Sequence, residues 1–383
     1  HPYVQRLRRI RQLGLGYLVF PAAEHSRFSH ALGALELGQR VLNNLREKDT
    51  TISNQEYEGT LIALLLHDVG HGPLSHTLEH SLLSEFNHEM MSLAIMHELN
   101  NQFDGALNTA IEIFTDQHPK KFLHQLVSSQ LDLDRLDYLK RDSFFTGVSE
   151  GSVGIQRILK TMRVHKGNIV IERKGIYAIE NYIISRRLMY MQVYLHKTVL
   201  SADSLIRSIF NRVSYLFAQG EPLPSGSAQL DYFLREQPSA EKQISSSVIE
   251  AYAQLDDYDV YQSIKAWQNA KDPILSDLSH RFLNRNLFRA SFFDKKPGKS
   301  THQKIHELTR NYLDKNWLPN DDESIKYYIR TEYSTSEAYK YKHDSIWILD
   351  NEVAIEFSKA ADTKSIIALT EPVKKYFIIH PKY

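Results

Sequence analysis

Residues 67–76 read His-Asp-Val-Gly-His-Gly-Pro-Leu-Ser-His, directly after the apolar run Leu61-Ile62-Ala63-Leu64-Leu65-Leu66. A histidine and a carboxylate stand side by side where a buried helix should end. Two more histidines follow, among glycines that break regular helix. Chargeable groups at the edge of a core are costly unless paired, and a divalent cation answers imidazole and carboxylate together. His30, His67, Asp68 and Asp134 are the sharpest candidate ligands. His30 begins one helix, His67 and Asp68 end another, and Asp134 lies in Asp132-Leu133-Asp134-Arg135-Leu136-Asp137. Neighbouring His and Asp cannot share one helical face, but at a helix end the backbone can turn both inward. Mixed nitrogen and oxygen donors suit Mn, Fe, Zn, Ni or Co, while Mg prefers oxygen alone. Such a set also leaves room for coordinated water, which a hydrolytic centre needs. One divalent ion is therefore expected. His97, His118, His165, His302 and His343 read as ordinary surface or capping residues.

The elements that must position these groups are mostly helical. Val4, Leu7, Ile10 and Leu13 recur at helical spacing until Gly14 and Gly16. Residues 30–45 read as an amphipathic helix and 56–66 as the next. Residues 77–99 form one or two more, followed by 108–114 and 121–130. Residues 162–173 read as a short hairpin around Lys166-Gly167-Asn168. Helix returns over 176–217, a stretch long enough that a bend or break is expected. Gly, Pro and Ser cluster at 220–226, and a boundary is placed there. Helices are expected at 248–253, 260–267 and 274–283. Ile-, Tyr-, Phe- and Trp-rich strands are expected at 287–293, 326–333, 345–349, 353–357 and 375–379. The expected fold is mainly α: a helical catalytic core over 1–220, then an α+β region over 221–383 that is regulatory or forms an oligomer interface.

Composition narrows the class. A chain of 383 residues with 42% hydrophobic and 24% charged residues has the make-up of a globular protein, not a disordered one. Lys plus Arg equals Asp plus Glu at 46 each, so no global field draws nucleic acid, which is not expected as the main partner. The chain has no cysteine, which excludes disulfides, thiolate metal sites and a cysteine nucleophile. No apolar run approaches the roughly 20 residues of a membrane span, and no signal-peptide pattern is recognisable. A cytoplasmic setting is expected.

The order His30, His67-Asp68, Asp134 resembles the HD superfamily of metal-dependent phosphohydrolases. Within it, the chain resembles the branch of deoxynucleoside triphosphate triphosphohydrolases, which includes the vertebrate enzyme joining a sterile alpha motif to an HD domain. The resemblance covers roughly residues 2–215. It rests on Tyr3 ahead of Gln5-Arg6-Leu7-Arg8, on Gln12-Leu13-Gly14, on Arg27-Phe28-Ser29-His30 and on the 67–76 segment. His88-Glu89, Asp134-Arg135-Leu136-Asp137-Tyr138 and Arg141-Asp142 complete it. It implies metal ligation by His30, His67, Asp68 and Asp134, and a catalytic histidine pair at His71 and His88. His76 and Glu79 would line the phosphate end, with Glu79 longer than the aspartate more often found there, and Glu89 or Glu79 would tune His88. Arg27, Arg135 and Arg186 match phosphate contacts, although Arg135 replaces a lysine of the vertebrate enzyme. Tyr138 and Asp142 match residues that pack on the sugar and bond its 3′ hydroxyl, and Gln12 and Leu13 match sugar and base contacts. Tyr194 matches a tyrosine sitting where a ribose 2′ hydroxyl would go. Arg27, Arg135, Arg186 and Lys197 also make sense as counter-charges to a triphosphate.

The implied reaction is conversion of a deoxynucleoside triphosphate to deoxynucleoside and inorganic triphosphate. Two other readings stand beside it: an HD-type phosphatase or phosphodiesterase acting on another nucleotide, and a nucleotide-sensing or nucleic-acid-binding module with secondary catalysis. The resemblance also implies a homo-oligomer, dimer or tetramer, and leaves open a nucleotide activator. Base preference is not legible.

Overall fold

The computed structural model describes residues 1–74, 77–78, 87–236, 244–336, 339, 345–363 and 373–383. Helices come first in the chain: α1 (Pro2–Arg6), α2 (Arg27–Glu47), α3 (Asn54–Leu66), α4 (His88–Gln102), α5 (Asn108–Phe114), α6 (Lys121–Val127), α7 (Leu133–Thr146) and α8 (Ile155–Thr161). Their starts are written in the sequence. Ser26, Ser53, Asn87 and Asp132 each accept a backbone N–H of the following first turn, and Ser53 forms a capping box with Glu56. Three of these caps start helices whose first turns carry Arg27 and His30, His88, and Asp134. α2 packs against α3 and α7, and α3 against α5, burying Ala34, Leu37, Val41, Leu64 and Leu136 in one core.

Before α2 the chain departs from the helix expected through Leu13. α1 ends at Arg6, and Leu7–Arg9 and Gly14–Leu18 form 3-10 turns. Between them the backbone runs beside residues 25–27: Gln12 N–H donates to the His25 carbonyl and Arg27 N–H to that of Ile10, both at 2.9 Å. That pairing outweighs local helical spacing and sets Gln12 and Leu13 beside the start of α2.

The expected hairpin is β1 (Met162–His165) paired antiparallel with β2 (Asn168–Glu172). Lys166 at φ 49 and Gly167 at φ 80 make the two-residue turn that matches strand twist. The long helical stretch breaks as its length required. α9 (Ile176–Met189) passes into a π-helical turn at Tyr190–Tyr194, and α10 (Lys197–Ala218) restarts under a cap from His196.

Then come α11 (Ala228–Glu236), α12 (Ser246–Gln254), α13 (Asp257–Trp267), α14 (Pro273–Leu283), β3 (Arg289–Phe293), α15 (Lys299–Lys315), α16 (Asp322–Ile325), β4 (Arg330–Ser336), β5 (Trp347–Asp350), β6 (Val353–Glu356), α17 (Phe357–Ala360) and β7 (Val373–His380). Every expected strand is present within a few residues. α15 was not expected, although buried Ile305, Thr309 and Leu313 recur at four-residue spacing. Two sheets result, in the orders β1-β2-β5-β6 and β3-β7-β4. β5 joins the hairpin in parallel, with Ile171 opposite Ile348. The architecture is a mainly helical core with sheets in its C-terminal part. No described helix is long and apolar enough to cross a membrane.

Candidate metal centre

His30, His67 and Asp134 come from α2, the end of α3 and the first turn of α7, and each offers a ligand atom within 4.8 Å of the others. The Nε2 atoms of His30 and His67 are 3.2 Å apart, and Asp134 Oδ1 lies 3.0 Å from the first and 3.5 Å from the second. The other ring nitrogens settle the tautomers. His67 Nδ1 is 2.7 Å from the Leu64 carbonyl, which can only accept, and His30 Nδ1 is 2.8 Å from Asp137 Oδ2. Each Nδ1 therefore carries a hydrogen, and in the neutral rings both Nε2 lone pairs face one point together with a carboxylate oxygen. Such lone pairs repel unless a positive charge lies between them, and a divalent cation fits that donor set. Asp68 stands at its edge, Oδ1 3.6 Å from His67 Nε2 and Oδ2 3.7 Å from His30 Nε2. The site is a candidate for one divalent ion.

Electrostatics agree. Burial opposes a charged His30, but hydrogen bonds to Asp134 and Asp137, with the added charge of Asp68, push its imidazole up to about 10. For Asp134, burial acts upward and is overcome by His30 and His67, which hold the carboxyl well below its usual range. This pocket of negative charge favours a cation.

Asp137, which the sequence motif contains without marking it as a candidate, contacts the ligand candidate His30. Besides His30, it takes a two-pronged contact from Arg141, Nε to Oδ2 and Nη2 to Oδ1, both at 2.8 Å. Carboxylates that orient a ligating histidine recur in metal sites. The clue available was spacing: Asp134, Asp137 and Arg141 share one helical face. Gly33 of α2 faces this pair, and a Cβ there would fall on the Asp137 carboxylate and the Arg141 guanidinium.

Beside the ligands, Arg27 ion-pairs with Asp68 deep in the protein. His71 Nε2 lies 3.3 Å from Asp68 Oδ1, and its ring stacks on His88 with centroids 4.0 Å apart. Burial, reinforced by Arg27, pushes the His71 imidazole well down, so it stands neutral as a hydrogen-bond donor to Asp68. The stack depends on Gly70. A Cβ there would strike the Ser92 amide and the His88 carbonyl, so only glycine lets the start of α4 come this close. Ser92 ties the same contact, accepting from Gly70 N–H at 2.9 Å and donating to the His67 carbonyl at 2.8 Å.

A cleft of about 430 Å³ opens next to Asp68, Asp134, His71 and His88. Gln12, Leu13, Arg27, Tyr138, Asp142 and Tyr194, all singled out from sequence, line it. Tyr194 Oη donates to Asp142 Oδ2 and His25 Nε2 to Oδ1, each at 2.7 Å, and His25 stacks on Phe145. Burial, then the Asp142 charge, push the Tyr194 phenol well up, so it stays a neutral donor. His25 was not singled out from sequence.

Other expected residues lie elsewhere. Arg135 turns its guanidinium to Asp132 and the Ser129 carbonyl, because the buried Asp132 cap needs a counter-charge. Lys197, at the first position of α10, lines a separate cavity with Arg285, Arg289 and Lys382, its ammonium 5.8 Å from the Phe292 ring centre. Glu89 is exposed in the first turn of α4. Arg186 is partly buried beside Tyr182, Tyr138, Arg135 and Tyr190, of which Tyr138 and Tyr190 line the cleft. His76, Glu79 and His343 lie outside the described residues.

Comparison with known proteins agrees with this geometry. The HD domain profile matches residues 27–142, and that of the HD associated region matches 153–216. The uncharacterized protein YwfO of Bacillus subtilis is 36% identical over 311 residues, 79% of this chain and 69% of its own length. The deoxynucleoside triphosphate triphosphohydrolase SAMHD1 homolog of Dictyostelium discoideum is 30% identical over 225 residues, 54% of this chain but 44% of its own length. A crystal structure of a phosphohydrolase from Bacteroides thetaiotaomicron is 40% identical and superposes with a TM-score of 0.94, covering 100% of this chain and 94% of that one. A hypothetical protein from Aquifex aeolicus gives a TM-score of 0.71 at 26% identity, covering 99% and 90%.

Proposed function

Because the chain belongs to the HD-domain metal-dependent phosphohydrolases, we propose that its substrate is a deoxynucleoside triphosphate, cleaved to deoxynucleoside and inorganic triphosphate. The observation that carries this reading is the Tyr194–Asp142 clamp, beside Tyr138 and in the same cleft as the metal ligands. A carboxylate held by a neutral phenol suits a sugar hydroxyl, and the packed phenol leaves a 2′ hydroxyl little room. His30, His67, Asp68 and Asp134 would hold the ion, which supplies Lewis acidity toward phosphoryl oxygen.

The chain's own groups account for the rest. Arg27 balances charge on the phosphates. Water attacks the α-phosphorus and gives up a proton to solvent, the bond to the 5′ oxygen breaks, and His88 delivers a proton to that oxygen while the stacked His71 ring holds His88 in place. Gln12, Leu13, Tyr138 and Asp142 hold the nucleoside, and Tyr194 selects the deoxy sugar. The 221–383 region and a dimeric or tetrameric assembly belong to the same proposal as support.

Product analysis tests it. Full-length protein loaded with Mn²⁺ is incubated with the four dNTPs, GTP, AMP and a cyclic dinucleotide. Intact triphosphate released from dNTPs only is the expected result. Release of monophosphate from a dNTP would overturn attack at the α-phosphorus, and preference for AMP or the cyclic dinucleotide would replace this substrate with another nucleotide ester.

A further inference from the structure

Residues 252–257 lie beyond both profile matches, yet they hold the loop that carries His71. Tyr252 Oη donates to the Gly70 carbonyl at 3.0 Å. Arg6, 1% exposed, bridges the two segments: its Nε donates to the Leu255 carbonyl at 2.8 Å and its Nη1 to the Val69 carbonyl at 3.4 Å. Asp257 is buried with each oxygen committed to a different chain segment beside the cleft. Oδ1 accepts from Leu74 N–H at 2.8 Å, and Oδ2 accepts from Arg11 N–H at 3.0 Å, with the Arg11 guanidinium 3.5 Å away.

Those two amides matter for the site. Leu74 closes the loop after His71 at φ 53, a region that non-glycine residues rarely adopt without an outside hold. Arg11 precedes Gln12 and Leu13, which line the same cleft as Leu74, and Gly14 packs directly on the Leu74 backbone. One carboxylate therefore ties together two cleft-lining segments that come from distant parts of the chain. A buried carboxylate would not be kept here for packing alone, since burial without partners is costly and an apolar residue would fill the space.

We propose that Asp257, assisted by Tyr252, is a positioning residue of the active site, fixing the His71 loop against the Gln12–Leu13 wall. Segment 252–257 is then part of the catalytic unit, not of an appended region. The kinetic side of this inference rests on the phosphohydrolase reading; the structural side does not.

The chemistry predicts a graded series. Asparagine has one acceptor oxygen for two N–H donors, and alanine has none. Wild type, Asp257→Asn and Asp257→Ala are compared as full-length, Mn²⁺-loaded protein, with Leu278→Ala as a buried-core variant of α14 that removes no hydrogen bond to either segment. Hydrogen exchange in peptides spanning 69–74 and 10–13 should accelerate about 10-fold or more in Asp257→Ala and less in Asp257→Asn, with α2 unchanged. With dGTP as probe, kcat should fall about 10- to 100-fold in the alanine variant, the scale expected for misplacement near 1 Å. Mn²⁺ affinity should stay within about threefold, because no ligand partner is touched. Leu278→Ala should lose stability yet keep kcat and KM.

Unchanged exchange at 69–74, or a kcat loss no larger than in Leu278→Ala, would overturn the inference. If wild type ignores dGTP but hydrolyses bis(p-nitrophenyl) phosphate, the substrate reading fails and that ester reports the kinetics. If it hydrolyses neither, the hydrolase reading fails and exchange alone decides.

Discussion

Asp137→Asn changes charge without changing shape, and its effect can be worked from the contacts. Asp137 Oδ2 serves His30 Nδ1 and Arg141 Nε, while Oδ1 serves Arg141 Nη2, each at 2.8 Å. An amide has one acceptor oxygen and one NH₂. With its oxygen toward His30, the NH₂ opposes the guanidinium. With its NH₂ toward His30, it donates to Nδ1 and moves the ring hydrogen onto Nε2, the atom meant for the metal. Both arrangements weaken His30 as a ligand. Loss of such a partner costs about 10- to 100-fold in metal affinity, or about 1.4–2.8 kcal/mol at tenfold per 1.4 kcal/mol. Calorimetric titration with Mn²⁺ reads the shift directly, and activity should recover partly at high metal. Gly33→Ala offers a second route, because its Cβ would displace the same carboxylate and guanidinium while leaving the charge intact. A dissociation constant within twofold of wild type in both variants would refute the claim that this carboxylate orients His30.

Other outcomes follow from the same geometry. Asp68→Asn should remove turnover and lower stability by about 1.5–3 kcal/mol, since the buried Arg27 loses an ionic partner, and urea unfolding beside a rate assay checks both. Gly70→Ala should cost about 1–3 kcal/mol by forcing α4 outward, with a lower melting temperature and impaired activity; an unaltered melt would contradict the close approach. In chelated protein His30 stands at about 10, above the roughly 6.5 of an unfolded histidine. Its contribution to the chelated fold is thus fully present below pH 6.5 and lost as pH rises toward 10. Metal affinity runs the other way, rising by up to about tenfold per pH unit between pH 7 and 9 as one fewer proton must leave. Titrations in buffers of different ionisation heat count that proton, and a count of zero at pH 7.5 would contradict it. Tyr194→Ala should relax discrimination between dGTP and GTP more than it lowers dGTP turnover, measured as a ratio of kcat/KM values.

The candidate ligands stood out in the sequence because their neighbours are odd. Nothing in packing calls for His67 and Asp68 to follow six apolar residues and precede three closely spaced glycine and histidine steps. The caps at Ser26 and Asp132 went unread, so α2 was expected to begin at His30 and not at Arg27, although these caps set the first turns that aim His30 and Asp134. What escaped were partners fixed only by tertiary meeting. His25 gains meaning by touching Asp142, 117 residues away, and Asp257 by touching Leu74, 183 residues away; no local pattern encodes either. Arg135 shows the converse. Its charge suited a phosphate, but an aspartate three positions earlier on the same turn claims the guanidinium first. In the C-terminal part, aromatic and β-branched residues marked the strands correctly. α15 was left unassigned, because its apolar stripe is thin and its remaining positions are polar or charged.

The order of strands in the second sheet bears on how a ribosome delivers this molecule. β7 lies between β3 and β4 and pairs with both, from Arg289 opposite His380 to Ser336 opposite Val373. The middle of the sheet is thus translated after its two flanks. Until residues 373–380 emerge, both flanking strands present open backbone edges, the kind of surface on which nascent chains aggregate. A premature stop only slightly upstream would leave two strands without their shared partner, a larger lesion than the missing length suggests.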